Sequence, residues 1–254
     1  MNANDPGQPP MLGGTEWSHD LDVPAVALAI GAHPDDIEFG AGGTLAKWAQ
    51  AGCRIHHLVL TDGSKGTWDP DADTAALVAR RIAEQTDAHH RLGGHGDVTM
   101  LGQVDGELVA TLELRSAVAR VIRLVKPDVI LAHDPWKRYR LHPDHREAGR
   151  IACDAIVAAR DPHFHREHQL EPHRPSHLLL WEADVPDHAE DVASVLATKL
   201  DALHAHASQF ESTMKAVDPE GLAAFDARIV QRLRELGRPH GRNAVEVFHR
   251  MSDL

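Results

Sequence analysis

The sequence has few cysteines and few aromatic side chains, and it has no long apolar run. Its 254 residues contain only Cys53 and Cys153, which excludes a disulfide framework and a zinc site built from cysteine pairs. No apolar stretch reaches the roughly 18 residues that a membrane-spanning helix requires. Basic residues number 26 against 38 acidic ones, and a net charge of −12 disfavours nucleic-acid binding. These absences predict a cytoplasmic protein that binds neither membrane nor nucleic acid.

The composition predicts one domain preceded by a polar tail. Residues 1–20 are rich in glycine and proline and lack the basic start and apolar stretch of a signal peptide, so we expect a flexible tail. Residues 21–254 are long enough to bury one sizeable hydrophobic core. We also expect the chain to form a homo-oligomer.

Apolar runs alternate with amphipathic segments along the chain. The runs predict five strands, at residues 23–30, 54–63, 97–108, 128–134 and 176–182. The amphipathic segments predict six helices, at residues 42–53, 73–94, 109–127, 144–160, 190–210 and 219–237. This alternation predicts a single-domain α/β fold of the Rossmann-like type, with an open, mostly parallel sheet covered by helices on both faces.

Polar clusters follow three of the predicted strands, at residues 33–36, 61–66 and 133–145. In open parallel sheets, ligands bind outside the carboxyl ends of the strands. The predicted active site therefore lies at the C-terminal edge of the sheet, where these three segments meet.

Two short motifs at this edge carry polar pairs with the same spacing. His33 and Asp36 in "HPDD" are three residues apart, as are His142 and His145 in "LHPDH", so each pair can face one way. Imidazole and carboxylate ligands suit zinc, and a catalytic zinc needs three protein ligands and an open position. His33, Asp36 and either histidine of the second motif meet that need. The alternative explanation is that the aspartates cap the helices that follow.

The motifs "AHPDD", "LTDGSKG" and "HPDH", in this order, resemble the LmbE-like or PIG-L family of zinc-dependent N-deacetylases. Weaker matches such as "RRIAEQ" and "LGQVDGEL" extend the resemblance over nearly the whole chain after the tail. Members of this family remove acetyl groups from N-acetylglucosamine conjugates, including precursors of low-molecular-weight thiols. The resemblance therefore implies an amide hydrolase that acts on a small amino-sugar conjugate.

The resemblance also implies a role for each residue of the two motifs. The three zinc ligands would be His33, Asp36 and His145. Asp35 would be the general base, and His142 would stabilise the oxyanion or act as an acid. Asp144 would orient a neighbouring histidine. Fe²⁺ or another divalent metal also suits two histidines and a carboxylate.

Four further residues are weaker candidates for contacts with the substrate: Lys65, Arg81, Asp105 and Arg140. Ordinary explanations compete for the first three, namely an exposed turn lysine, an exposed helix pair of Arg81 with Glu84, and a turn aspartate beside Gly106. At the position of Arg140, some family members that act on mycothiol precursors carry a tyrosine, so a catalytic tyrosine is not assigned.

Two other functions are compatible with parts of the pattern. Gly40, Gly42 and Gly43 precede a predicted helix, as in nucleotide-binding oxidoreductases, but they come too late after the strand and "HPDD" occupies the turn. The 20 histidines also allow a non-catalytic or metal-handling binding protein on the same fold, which would bind several metals per chain.

Overall fold

The computed structural model describes residues 17–254, which form an eight-stranded sheet with helices packed against it. In chain order, the strands are β1 (Ser18–His19), β2 (Val26–Gly31), β3 (Arg54–Thr61), β4 (Val98–Gln103), β5 (Val129–His133), β6 (His177–Trp181), β7 (His188–Asp191) and β8 (Val245–Ser252). The α-helices are α1 (Asp36–Gln50), α2 (Thr74–Arg91), α3 (Leu112–Val125), α4 (Pro143–Arg160), α5 (Leu196–His204) and α6 (Pro219–Gly237).

The sheet is mostly parallel, with strand order β1-β7-β8-β6-β5-β2-β3-β4. Strands β2 to β6 run in one direction, and β1 also pairs with β7 in parallel. Strand β8 lies between β6 and β7 and is antiparallel to both. The carboxyl ends of β2 to β6 therefore meet at one edge, and the α/β fold predicted from the sequence is confirmed.

Two hydrophobic cores, one on each face of the sheet, follow from the alternation of side chains along its strands. In β2, Leu28 and Ile30 pack into the core that contains residues of α3 and α4. The intervening Ala27 and Ala29 pack into the opposite core, beside residues of α1 such as Leu45. Helices thus cover both faces of the sheet, as a strand with an almost continuous apolar sequence requires.

The structure differs from the sequence-based boundaries mainly at α1 and in the last third of the chain. Helix α1 begins at Asp36, six residues before the predicted start at residue 42. The helix predicted at 190–210 is wrong at its N-terminal end, because β7 runs to Asp191 and α5 spans only Leu196–His204. Strand β8 was not predicted. None of the helices within residues 17–254 is long and apolar enough to cross a membrane.

The predicted flexible tail overlaps the first described strand. Residues 1–16 lie outside the part of the chain that the structure describes. Ser18 and His19 form β1, where Ser18 is the register partner of His188 in β7. The last residues of the predicted tail are therefore part of the sheet.

Candidate metal centre and active site

The turn between β2 and α1 places two aspartates at the C-terminal edge of the sheet. Asp35 has a φ of 96°, in the left-handed region that a residue with a side chain rarely adopts. Its backbone N–H donates to Oε1 of Gln85 at 3.0 Å. Arg81 donates from Nη2 to the carbonyl of Pro34 at 2.6 Å, and the same nitrogen lies 3.5 Å from Oδ2 of Asp35. Two side chains of α2 therefore hold this turn from both the backbone and the carboxylate.

The three residues predicted as metal ligands lie together. His33 Nδ1 is 3.3 Å from Oδ2 of Asp36, and His145 Nε2 is 3.3 Å from Oδ1 of the same carboxylate. One ligand atom from each of the three residues lies within 4.8 Å of the other two. Two imidazoles and one carboxylate are a common donor set for a divalent transition metal, so the side chains present fit such an ion.

Two neighbouring groups of possible ligands share a histidine with this set. Both contain two histidines and a carboxylate: His33, Asp105 and His142, and His133, His145 and Glu182. The carboxylate of each group has another partner, since Asp105 accepts the N–H of Lys65 at 3.1 Å and Glu182 pairs with Arg140 at 2.6 Å. The set of His33, Asp36 and His145 is the best candidate, because one oxygen of Asp36 faces His33 and the other faces His145.

Buried carboxylates fix the orientation of the His33 ring. Its Nε2 lies 3.0 Å from Oδ2 of Asp144 and 3.1 Å from Oδ1 of Asp105, which leaves Nδ1 facing Asp36. Asp144 in turn accepts the backbone N–H of Gly106 at 2.7 Å. Asp144 therefore lies where a residue that orients a ligating histidine would lie.

The same carboxylates make the site strongly negative. Burial alone would lower the pKa of His33, but hydrogen bonds to Asp105, Asp144 and Asp36 raise this pKa to about 12. An environment that favours a positive imidazole to this extent also favours a divalent cation, since both interact with the same negative charge.

Asp35 differs from its neighbours in its affinity for protons. Burial raises the pKa of Asp35 to about 6, an effect that Arg81 partly offsets and Asp36 reinforces. By contrast, the pKa of Asp36 lies well below its usual range: burial would raise it, but electrostatic interactions and hydrogen bonds with His145 and His133 lower it by more. The two adjacent aspartates thus have the properties expected of a proton acceptor and of a permanently ionised metal ligand.

A row of three imidazole rings crosses the site. His142 and His145 stack with their centroids 4.7 Å apart, and His145 stacks on His133 at 4.4 Å. His142 is exposed, and burial of part of its ring together with His33 and His145 lowers its pKa. A neutral His142 therefore faces solvent at the outer end of the row.

Sequence reasoning missed His133, the buried member of this row. Its Nε2 lies 3.1 Å from Oδ2 of Asp36, and its Nδ1 accepts the indole N–H of Trp181 at 3.0 Å. Because Trp181 occupies Nδ1, Nε2 carries the proton and donates to Asp36. The signal available in the sequence was the position of His133 as the last residue of an apolar strand.

Three of the four weaker candidates lie at the cavity, namely Lys65, Arg81 and Asp105. Lys65 is exposed and its Nζ lies 2.9 Å from Oε1 of Glu107. Asp105 is buried and contacts His33, so it is more than a turn aspartate. Both residues line the same cavity as the proposed ligands.

The two arginines are engaged by the protein itself. Arg81 is buried and donates from Nη1 to the carbonyl of Gly63 at 2.9 Å, so the alternative of an exposed pair with Glu84 is wrong. The guanidinium of Arg140 lies 3.1 Å from Nδ1 of His145 and 2.6 Å from Glu182, and its side chain is almost fully buried. Arg140 is not among the described residues that line the cavity, and its contact with substrate stays a prediction.

The site opens into a cavity of about 760 Å³. Its floor contains His33, Asp35 and Asp36, and the loop after β3 forms one wall with Lys65 and Trp68. A cavity of this size encloses ligands larger than a single sugar ring. The glycines that suggested a nucleotide loop lie inside α1. A Cβ on Gly40 would come within 2.5 Å of the Trp181 ring and a Cβ on Gly43 within 2.8 Å of Val192, so these two glycines permit close packing.

The sequence pattern of the family described as GlcNAc-PI de-N-acetylase, or PIG-L, matches residues 28–156. The chain belongs to the PIG-L family. The matched residues run from β2 into α4 and include both histidine motifs. They therefore contain every proposed metal ligand.

Relatives of known activity support the same assignment. The diacetylchitobiose deacetylase of Thermococcus kodakarensis is 37% identical over 186 residues, which cover 72% of this chain and 69% of the relative. The 1D-myo-inositol 2-acetamido-2-deoxy-alpha-D-glucopyranoside deacetylase of Streptomyces scabiei is 33% identical over 162 residues, covering 54% of this chain and 50% of the relative. The chain thus spans about half the length of the second relative.

A solved structure shows the same fold. The N,N'-diacetylchitobiose deacetylase from Pyrococcus horikoshii, in complex with an inhibitor, superposes with a TM-score of 0.82 at 28% identity, covering 90% of this chain and 84% of that one. The prediction that this PIG-L family member is an enzyme that hydrolyses the amide of an N-acetyl group is confirmed.

Proposed function

We propose that this PIG-L family enzyme removes the acetyl group from the N-acetylglucosamine unit of a small conjugate, with a divalent metal at His33, Asp36 and His145 and with Asp35 as the general base. The observation that carries the proposal is the convergence of His33 and His145 on the carboxylate of Asp36, directly beside Asp35, whose pKa is raised to about 6.

Zinc suits the donor set, and Fe²⁺ suits it as well. When bound, the metal supplies Lewis acidity that polarises the amide carbonyl and acidifies a water molecule. His133 and Asp144 support this arrangement, because the first donates to Asp36 and the second holds the His33 ring. These contacts orient the ligating atoms toward one point.

Asp35 is placed to accept a proton from the attacking water. Asp35 lines the cavity, its backbone N–H donates to Gln85, and its carboxylate lies 3.5 Å from Arg81, so its direction toward the substrate is fixed. The pKa of about 6 keeps Asp35 ionised at neutral pH yet able to take up a proton.

His142 is placed to stabilise the oxyanion that forms on the amide oxygen. It lines the cavity next to His33, with ring centroids 4.6 Å apart. Its lowered pKa indicates a neutral imidazole, which stabilises the oxyanion through one N–H. The C–N bond then breaks, the acyl carbon keeps the hydroxyl of water as acetate, and the amine receives the proton that Asp35 took from water.

The names of the relatives guide the choice of substrate. The 37% identical relative and the solved structure at 28% identity are both named as diacetylchitobiose deacetylases. The cavity of about 760 Å³ has room for a disaccharide. We therefore propose a short oligosaccharide of N-acetylglucosamine as the substrate class.

The test is the variant Asp35→Asn. Asparagine tolerates the left-handed backbone of position 35, so the turn is retained while the base is removed. We expect acetate release from N,N'-diacetylchitobiose to fall by about 100- to 10,000-fold. Metal content, measured by elemental analysis, is expected to stay at about one ion per chain.

The matched control is Asp97→Asn, an exposed aspartate outside the cavity, which is expected to keep full activity. A second variant, Asp36→Asn, is expected to lose both metal and activity. Full turnover by Asp35→Asn would overturn the assignment of the base, and retention of metal by Asp36→Asn would overturn the ligand set.

A further inference from the structure

Trp68 is a large apolar side chain that lines the active-site cavity and is 80% exposed to solvent. The residues at the base of the cavity are almost fully buried, as His33 and Asp35 show at 6% exposure each. Trp68 therefore lies at the mouth of the cavity, whereas the chemistry takes place at the floor. An indole left in water on a cavity wall indicates a surface that a ligand covers.

The turn that carries Trp68 is tied to the segment after α5 at Gly66, two residues before the tryptophan. The carbonyl of Gly66 accepts a hydrogen bond from Nε2 of Gln209 at 3.0 Å and one from Oγ of Ser212 at 3.3 Å. On the other side of Trp68, the N–H of Asp69 donates to Oγ1 of Thr67 at 3.2 Å. The indole is thus presented from an anchored turn, which lowers the entropy that ordering it on a ligand would cost.

We propose that Trp68 is the stacking platform for the sugar ring next to the one that is deacetylated, an inference that rests on the proposed function. One face of a pyranose ring carries C–H groups, and this face packs on an aromatic ring while the hydroxyls at the ring edge form hydrogen bonds. Lys65 lines the cavity, and its exposed partner Glu107 lies 2.9 Å away, so the pair offers a donor and an acceptor for such hydroxyls.

The arrangement assigns different tasks to the two ends of the cavity. The floor contacts the acetamido group through Asp35 and the proposed metal ligands. These contacts do not distinguish a substrate of one sugar ring from a substrate of two. Trp68 contacts only the second ring. Its contribution therefore appears as a preference for a disaccharide over N-acetylglucosamine itself.

The experiment compares Trp68→Ala and Trp68→Phe with the wild type on two substrates, N,N'-diacetylchitobiose and N-acetylglucosamine. For Trp68→Ala, we expect kcat/KM on the disaccharide to fall about tenfold, and kcat/KM on the monosaccharide to change by less than about twofold. Trp68→Phe keeps an aromatic face and is expected to retain most of the preference. Thermal unfolding of each variant checks that the fold is unchanged.

Trp136 provides the matched control, since it is 65% exposed but does not line the cavity, and Trp136→Ala is expected to leave both activities unchanged. An equal effect of Trp68→Ala on both substrates, or a change in oligomer mass without a change in substrate preference, would overturn the inference. Absence of acetate release from both substrates by the wild type would overturn the proposed function, and this inference with it.

Discussion

At the scale of single residues, the unusual backbone of Asp35 is the feature that connects the site to the interior. A residue other than glycine in a sparsely populated backbone conformation lowers the stability of the folded state by about 1–3 kcal/mol. Gln85, which accepts the N–H of Asp35, is itself fixed, because its Nε2 lies 2.8 Å from Oε1 of Glu38 and 3.1 Å from Nδ1 of His57. The position of the proposed base therefore depends on a buried amide from a different helix.

Replacing Gln85 by leucine tests this dependence. The change removes the acceptor for the N–H of Asp35 while leaving the carboxylate and the metal ligands in the sequence. We expect kcat on N,N'-diacetylchitobiose to fall by about 10- to 100-fold with little change in KM, because a small misplacement of a catalytic group slows the chemical step. Steady-state kinetics measure this effect.

Gln231→Leu on α6 is the control, since Gln231 is exposed and donates to Glu235 on its own helix. If Gln85→Leu lowers the melting temperature but leaves kcat unchanged, the role of Gln85 is structural and the dependence is wrong.

The sequence predicted the residues that belong to a spaced motif and missed the isolated ones. His33 and Asp36 repeat at the spacing of His142 and His145, and this repetition carried the prediction. His133 is a single polar residue at the end of a strand, and its contact with Asp36 spans 97 positions of the chain. Long-range contacts of single residues leave no local pattern to read.

At the scale of elements, a buried ion pair lies against the backbone of α1. Glu246 on β8 accepts the N–H groups of Gly43 and Thr44 at 2.8 and 2.7 Å. Lys199 on α5 lies 2.6 Å from the same carboxylate and donates to the carbonyl of Phe39 at 2.9 Å. The pair therefore connects three elements on one face of the sheet, and it approaches α1 closely because glycine occupies position 43.

Removing one partner of this pair should be more damaging than removing both charges. Lys199→Met leaves Glu246 buried without a counter-charge, and we expect the free energy of unfolding to fall by about 3–5 kcal/mol. The double variant Lys199→Met with Glu246→Gln is expected to fall by less than the sum of the single variants. Urea denaturation measures all three.

Lys126→Met, at an exposed lysine after α3, is the control and is expected to change stability by less than about 0.5 kcal/mol. A small effect of Lys199→Met would show that water reaches the pair and screens it.

Sequence patterns predicted neither this pair nor the early start of α1. The helix start was missed because "DDIEFGAGG" contains three glycines, which have a low helix propensity. Tertiary packing against Trp181 and Val192 outweighs that propensity.

At the scale of the whole molecule, buried histidines link stability to pH. Burial is the main cause that lowers the pKa of His89 to about 4. Burial also lowers the pKa of His57, whose ring centroid lies 4.5 Å from that of His89. The unfolded chain, with a histidine pKa near 6.5, binds the proton more readily than the folded chain between pH 6.5 and about 4. Stability contributed by neutral His89 is therefore complete above pH 6.5 and is lost as the pH falls toward 4.

His89→Gln should reduce this sensitivity to acid, since glutamine keeps a donor for the carbonyl of Gly96, 3.1 Å from His89 Nε2, but does not titrate. We expect the loss of unfolding free energy between pH 7 and pH 5 to be smaller by about 1–2 kcal/mol than in the wild type. His90→Gln, at the exposed neighbouring position, is the control. An identical pH dependence in His89→Gln and the wild type would contradict the burial of a neutral imidazole.

The alternation of strands and helices was sufficient to predict the α/β class and the edge that carries the site. Five strands and most helix boundaries follow from local periodicity, which the burial of each face imposes on the sequence. Strands β1 and β7 are two and four residues long, too short for a periodic signal, and β8 mixes apolar with charged residues. Their places in the sheet depend on pairing partners far along the chain.

The position of β8 has a consequence for the order in which a growing chain can fold. Strands β1 and β7 join the rest of the sheet only through β8, which pairs with β6 on its other side. A ribosome that has translated residues up to 244 has already made every proposed metal ligand, yet β6 still has an open edge at that point. Such an edge is a site for wrong pairing between nascent chains. Pairing of residues 245–252 with β6 as strand β8 therefore closes the interval in which this protein is most prone to aggregate.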